Sequence, residues 1–285
     1  MPAQCVQKRE ELLMSEVPAF STLNLMLSDS ILDVQLNRPE SANAMNAEMW
    51  VEIQQAFEWA DSCPDVRVVI LSGAGKHFCA GIDLSMFQDI LFEHKDPARA
   101  SEMFVTHVRQ LQQNIKALRD CRKPVLAAMH GAVVGGAIDM TCYADMRYVD
   151  ATAKFCVKEI DIGIVADVGT LQNLPSLISE GLVRELAYTG RLMMSDEALA
   201  AGLVNRVFED RDSLVAGVRE IAKTIAEKSP LAIRGTKQVI NYTRDHSIED
   251  GLEYVALWNA AMMSKFDVQE AMAATLEKRV GNFED

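Results

Sequence analysis

The sequence predicts an α/β protein in which strand–helix repeats come first and a helical tail follows. Three observations carry that reading. Short apolar runs, Val66–Leu71 and Pro124–Met129 (PVLAAM), have the composition of buried strands. Each runs into a glycine-rich turn that opens a helical pattern. From Arg211 onward nearly every window is helical, with breaks at Pro230 and near His246. No Gly/Ser linker or low-complexity tract divides the 285 residues, so one soft boundary is set near residue 210, giving units 1–210 and 211–285.

Residues 1–19 are polar and then mixed, and read as an arm. Thr22–Leu27 and Ile31–Leu36 alternate apolar and polar around Ser28-Asp29-Ser30, which predicts a hairpin. Asn46 is placed to cap a helix running through Cys63, with Met49, Ile53, Ala56, Phe57 and Ala60 on one face. After the strand at Val66–Leu71 comes SGAGKHFCAGIDL (residues 72–84), a glycine-rich loop expected to lead into a helix. Ser101–Asp120 carries Val105, Val108, Leu111, Ile115 and Leu118 at helical spacing. Farther on, helices are expected over Leu171–Ile178, Gly181–Thr189 and Ser195–Ala201, the last two followed by Gly190 and Gly202 at C′ positions. Val204–Phe208 reads as a short strand.

Composition narrows the function classes. Nearly half the residues are hydrophobic, ample for a core, and the formal net charge of −13 without a basic block argues against nucleic-acid binding. An anionic ligand must then be held by a few cations and by backbone N–H groups. The six cysteines are scattered, with no CxxC and no framework spacing. With no signal peptide, no apolar run of membrane-spanning length and no peroxisomal tripeptide at the C-terminus, the expected setting is a reduced cytoplasmic one.

The chain is organised around residues 130–170, HGAVVGGAIDMTCYADMRYVDATAKFCVKEIDIGIVADVGT. Gly131, Gly135 and Gly136 let the backbone approach a ligand and turn into a helix. A helix starting near Gly135 aims free N–H groups at an anion. Asp139 lies three residues past Gly136, nearly one turn later, so both can face one cavity. Glu159 and Asp167 follow in a segment dense in Gly, Val and Ile, where an unpaired carboxylate is costly. The alternatives are a solvated Asp139, a Glu159 paired with Lys158 or Arg147, and an Asp167 that caps a helix starting near Val168.

The loop GAGKHFCAGID lacks the GK[ST] ending of a P-loop and has Phe78 where GxGxxG needs its third glycine, so alone it is an ordinary strand-to-helix turn. Two such turns, however, can converge the N–H groups of Ile82 and Gly136 on one carbonyl oxygen. That is an oxyanion hole, in which each donor contributes on the order of 3 kcal/mol to a transition state. The five histidines form no HxxxH or HExxH pair, so no metal is expected, and His130 reads as structural. No GxSxG elbow or nucleophilic cysteine setting appears.

Taken together, GAGKHFCAGIDL, PVLAAMHGAVVGGAIDM and FCVKEIDIGIVADVGTLQNLP resemble the crotonase (enoyl-CoA hydratase/isomerase) superfamily over roughly residues 20–280. Within it, VKEIDIGIVADVGTLQNLP and NYTRDHSIEDGLEYVALWNAAM are similar to the Δ3,5-Δ2,4-dienoyl-CoA isomerases. The resemblance implies a crotonase-like spiral of ββα units with a helical C-terminal region that packs homotrimers, often as hexamers (dimers of trimers). It implies an acyl-CoA thioester substrate, with coenzyme A as part of the substrate and no separate cofactor. The thioester oxygen would lie on the N–H groups of Ile82 and Gly136, with Ala80, Gly81, Asp83 and Gly135 in the substrate-binding loops. Hydratases of the family have glutamates at the positions of Asp139 and Glu159, and glycine at that of Asp167. The added carboxylate suits a proton transfer from C2 to C6 of a 3,5-dienoyl group, which is too far for one acid to span. On that reading Glu159 removes the C2 proton, Asp167 delivers to C6, and Asp139 orients Glu159, with the first two roles exchangeable. The alternatives are an enoyl-CoA hydratase or Δ3-Δ2-enoyl-CoA isomerase, and a non-catalytic binding or scaffold protein. Met86, Phe87 and the helix bearing Phe104 are candidate acyl-pocket walls, and Lys76, Arg38 and Lys265 candidate partners of the CoA phosphates.

Overall fold

The computed structural model describes residues 16–86 and 94–285. The expected arm over residues 1–19 falls largely outside them, as does Phe87. The predicted hairpin is present as β1 (Leu23–Ser28) and β2 (Ile31–Leu36), paired antiparallel. Asp29 and Ser30 both take positive φ, the two-residue turn whose twist matches a tight hairpin. Helix α1 (Ala47–Ser62) follows, and the Asn46 side chain accepts from the Met49 N–H at 3.0 Å. All five residues of its expected apolar face are buried. Met49, Ile53 and Phe57 each contribute roughly 1.5–3 kcal/mol of transfer free energy, so this face, rather than helix propensity, fixes α1 in place.

Strand β3 (Val68–Gly73) pairs parallel to β2, and β4 (Val125–Met129) parallel to β3. Between them, α2 spans Pro97–Asp120, four residues longer at its start than the spacing predicts, because Asp96 supplies the cap and Pro97 suits the first turn. Its lower half is buried through Leu111, Ile115 and Leu118, whereas Val105 stands exposed. The loop over residues 72–84 leads into a 3-10 turn, Leu84–Met86, and the helix expected to follow it lies outside the described residues.

The chain then alternates between two sheets. It runs through β5 (Ala132–Val134), α3 (Gly136–Cys142), β6 (Met146–Asp150) and β7 (Lys154–Cys156), then a 3-10 turn at Glu159–Ile162 and α4 (Thr170–Asn173). Next come α5 (Glu180–Thr189), β8 (Met193–Met194), α6 (Ser195–Ala200) and β9 (Arg206–Phe208). Among the described residues one sheet has the order β1-β2-β3-β4-β6-β9 and the other β5-β7-β8. From β4 onward the chain passes back and forth between them, β5, β7 and β8 in the smaller sheet and β6 and β9 in the larger, as the expected spiral requires. The helix expected over Leu171–Ile178 is only the four residues of α4 and a 3-10 turn, since Pro175 removes the N–H that would extend it.

The larger sheet is covered on both faces at its centre, which is why β3 and β4 read as unbroken apolar runs. Val69, Leu71, Val125 and Ala127 point into the main core with α1 and α2. Val68, Ile70, Leu126 and Ala128 point the other way onto α7 (Arg211–Ala226). The soft boundary near residue 210 thus falls just before a helix that packs on the sheet. Three further helices complete the tail: α8 (Pro230–Arg244), α9 (Ile248–Met262) and α10 (Lys265–Glu277). They leave Leu252, Leu257, Phe266 and Leu276 exposed.

Candidate active site

The two glycine-rich turns meet because isolated bridges tie the first loop to both neighbours. Cys79 bridges to Val133 of β5, and Ile82 to Met45. The Met45 N–H donates to Gly81 O at 2.8 Å and the Asp83 N–H to Met45 O at 3.0 Å, so in this parallel bridge the Ile82 N–H points the opposite way. Gly135 stands at φ 52°, ψ −121°, a conformation that L side chains rarely adopt, and its N–H is held by Cys156 O at 2.9 Å. A Cβ there would also lie 3.2 Å from Glu159 Oε1. Gly81 (φ 97°) is equally constrained, since a Cβ would meet Val134 O at 2.7 Å. These close approaches bring the Ile82 and Gly136 amides side by side: a Cβ on Gly136 would be 3.7 Å from the Ile82 nitrogen, and one on Gly81 would be 3.5 Å from the Gly136 nitrogen. Neither N–H has an acceptor among the described residues, and the Gly136 N–H opens α3.

Ile82 and Gly136 both line an apolar cavity of about 640 Å³. All three candidate acids line it, as do Ala80, Gly81 and Gly135. Asp139 is 1 % exposed. Burial, reinforced by the neighbouring Glu159 charge, pushes its carboxyl up to about 7, against the pull of the Thr170 N–H, which donates to Oδ1 at 2.6 Å. Burial also raises Glu159, with Asp167 adding to it, and Glu159 Oε2 is enclosed without a hydrogen-bond partner. Asp167 is half-buried, and burial lifts it too, partly offset by His107. Three carboxyls displaced upward around one apolar space is the arrangement expected of proton-transfer chemistry.

The structural alternatives for these acids fail on geometry. Lys158 pairs with Asp161, and the Arg147 guanidinium donates to the carbonyls of Leu203, Thr141 and Ala144, so neither neutralises Glu159. Asp167 caps nothing: α4 starts at Thr170, and the carboxylate on its first N–H is Asp139. Asp83 lies off the cavity wall, where its carboxylate holds Arg38 at 2.9 Å and the Ser85 N–H at 3.0 Å. Arg38 is thereby occupied, while Lys76 and Lys265 are exposed. His130 accepts a structural part, its Nε2 lying 3.0 Å from Gly75 O. Among the described residues no cluster of three or more His, Cys, Asp or Glu is set to hold a metal, and no helix is long and apolar enough to cross a membrane.

Several wall residues escaped the sequence reading. Trp50, whose Nε1 donates to Met45 O at 3.2 Å, sits beside Gly136. His107 and Leu111 of α2 join Phe104 on another side, and Gln112 Nε2 donates to Asp167 O at 2.6 Å. The available signal was polar His107 and Gln112 flanking the apolar stripe Val108–Leu111–Ile115 of one helix. Met86 is buried in the main core but is not on the cavity wall.

Comparison with known proteins gives a consistent result. The enoyl-CoA hydratase/isomerase family model matches residues 27–285. The peroxisomal Δ(3,5)-Δ(2,4)-dienoyl-CoA isomerase of Arabidopsis thaliana is 42 % identical over 271 residues, covering 93 % of this chain and 98 % of that protein. The mitochondrial protein of the same name from Homo sapiens is 43 % identical over 272 residues, covering 93 % and 83 %. The crystal structure of an enoyl-CoA hydratase from Bacillus anthracis superposes with a TM-score of 0.83 at 27 % identity, covering 93 % of this chain and 99 % of that one.

Proposed function

Because the chain belongs to the enoyl-CoA hydratase/isomerase family, we propose that it isomerises 3,5-dienoyl-CoA thioesters to 2,4-dienoyl-CoA, as the names of its dienoyl-CoA isomerase relatives suggest. The observation that carries the reading is a third carboxyl, Asp167, on the wall of a cavity already holding Asp139 and Glu159 beside two unclaimed amides. The thioester oxygen accepts from the Ile82 and Gly136 N–H groups, which stabilise the dienolate as charge develops. Glu159, its Oε2 enclosed and unpaired, takes the C2 proton, and burial makes it a stronger base than a solvated glutamate. Asp167, held toward its neutral form by burial, gives a proton to C6. Asp139 orients Glu159 while its own carboxyl is fixed by the Thr170 N–H.

The second reading is hydration, favoured by the likeness to the B. anthracis enoyl-CoA hydratase and by two carboxyls, Asp139 and Glu159, that line one cavity close enough for the charge of one to raise the other. Purified protein assayed with 3,5-octadienoyl-CoA, beside crotonyl-CoA hydration, separates the two. Fast formation of the conjugated product with feeble hydration is expected, and strong hydration without dienoyl turnover overturns the proposal.

The helical tail, residues 211–285, is the part we propose for homotrimer or hexamer contacts. Support comes from the exposed apolar side chains of α9 and α10, Phe266 at 81 % and Leu276 at 84 % among them. The expected cytoplasmic setting differs from the peroxisomal and mitochondrial labels in the relatives' names, and cell fractionation decides between them.

A further inference from the structure

Each forward turnover leaves the proposed acids in the wrong state for the next. Glu159 begins as carboxylate and breaks the C2–H bond, and the electron pair delocalises into the dienolate. The Asp167 O–H proton then forms the C6–H bond. Glu159 ends protonated and Asp167 ionised, so a second cycle needs one proton removed from Glu159 and one supplied to Asp167.

Glu159 and Asp139 are buried, whereas Asp167 is the half-buried member of the three. His107 lines the same cavity and is also half-buried, its Nε2 enclosed within the protein while the residue as a whole still meets solvent. The same helix is fixed to the Asp167 segment through Gln112, which donates to Asp167 O at 2.6 Å. His107 is close enough for its positive charge to favour the Asp167 carboxylate. Among the described residues the other charged or titratable groups on this wall are Glu159 and Asp139, with Lys158 already paired to Asp161.

We propose that His107 is the relay through which Asp167 is reprotonated between turnovers, an inference that rests on Asp167 being the acid that protonates C6. The imidazolium passes its proton to the Asp167 carboxylate and regains one from bulk water. Glu159 loses its proton to water as product leaves the cavity. His107 acts through Asp167 and touches no reacting atom.

The test compares wild type, His107→Ala and Asp167→Asn with 3,5-octadienoyl-CoA, under single-turnover conditions (enzyme in excess) and at steady state. Alanine is well tolerated in a helix, so α2 should form in the first variant. His107→Ala is expected to keep the single-turnover rate within about twofold while kcat falls at least about tenfold, behind a burst of one product per site. Added imidazole should restore kcat, and more strongly where more of it is protonated. An unchanged kcat overturns the relay, as does a parallel fall in both rates that imidazole does not relieve. Asp167→Asn keeps the two failures apart: wild-type turnover by that variant sinks the assignment of Asp167 itself, whereas an inactive Asp167→Asn beside a fully active His107→Ala sinks only the relay.

Discussion

Asp139→Asn removes a charge from the interior while keeping the side chain's shape, so its effect should be read in stability against pH. The folded protein moves the Asp139 carboxyl from an ordinary 3.8 up to about 7, chiefly by burial. The native state therefore keeps this proton to higher pH than the unfolded chain does. Unfolding releases it between those two values, and stability falls as pH rises through that window, then levels off above it. At about 1.4 kcal/mol per pH unit, the shift costs the fold about 2 kcal/mol at pH 5.5, where the native state still keeps the proton, and about 4 kcal/mol at pH 8.5, where the carboxylate is held ionised. The variant carries none of this cost. Its stability relative to wild type should then improve by about 2 kcal/mol between pH 5.5 and pH 8.5. Urea denaturation at fixed protomer concentration measures it, the lower pH being kept clear of the sequence pI near 4.9. A pH-independent difference would mean that the Thr170 N–H stabilises the carboxylate at least as much as burial penalises it, and a variant that loses ground at the higher pH would refute the upward shift outright.

Glu159→Gln should lower kcat on 3,5-dienoyl-CoA by roughly 10² to 10⁴ with little change in KM, as expected for loss of a general base, and steady-state kinetics check this. Gly135→Ala forces a side chain into φ 52°, ψ −121° and against Glu159 Oε1, so kcat/KM should fall at least about a hundredfold with a lowered Tm. Leu252→Glu with Leu257→Glu places charge on the exposed face of α9, and sedimentation velocity should show the assembly dissociating toward protomers while far-ultraviolet dichroism stays unchanged. Assembly as in wild type would remove α9 from the proposed contact surface.

The elements that the sequence makes legible are those with a local cause. The α1 face, the Asn46 cap and the hairpin turn at Asp29-Ser30 depend on side-chain periodicity and on groups within a few residues of one another. The long apolar runs of β3 and β4 are legible for the same reason, although which residue faces which core is settled only when α7 covers the second face. Helix α2 is legible in its lower half, where it meets the core. The motifs around Gly81 and Gly135 likewise point to paired amides before any coordinates, because glycine is demanded by the local turn.

What lies between distant segments is not written in either segment. Asp139 and Thr170 are 31 residues apart, and only the fold turns one into the acceptor for the first N–H of α4. Asp83 belongs to the same glycine loop as Ile82, yet tertiary structure gives it to Arg38, 45 residues away, and leaves it off the cavity wall. His107 and Gln112 read as surface polar residues until α2 is laid against the segment of Asp167. The sequence alone thus determined the α/β class, the local elements and the identity of three acids and two amides. Tertiary packing decided which of them share one low-dielectric space, and desolvation there, which no single segment can impose, is what displaces the three carboxyls from their solution values.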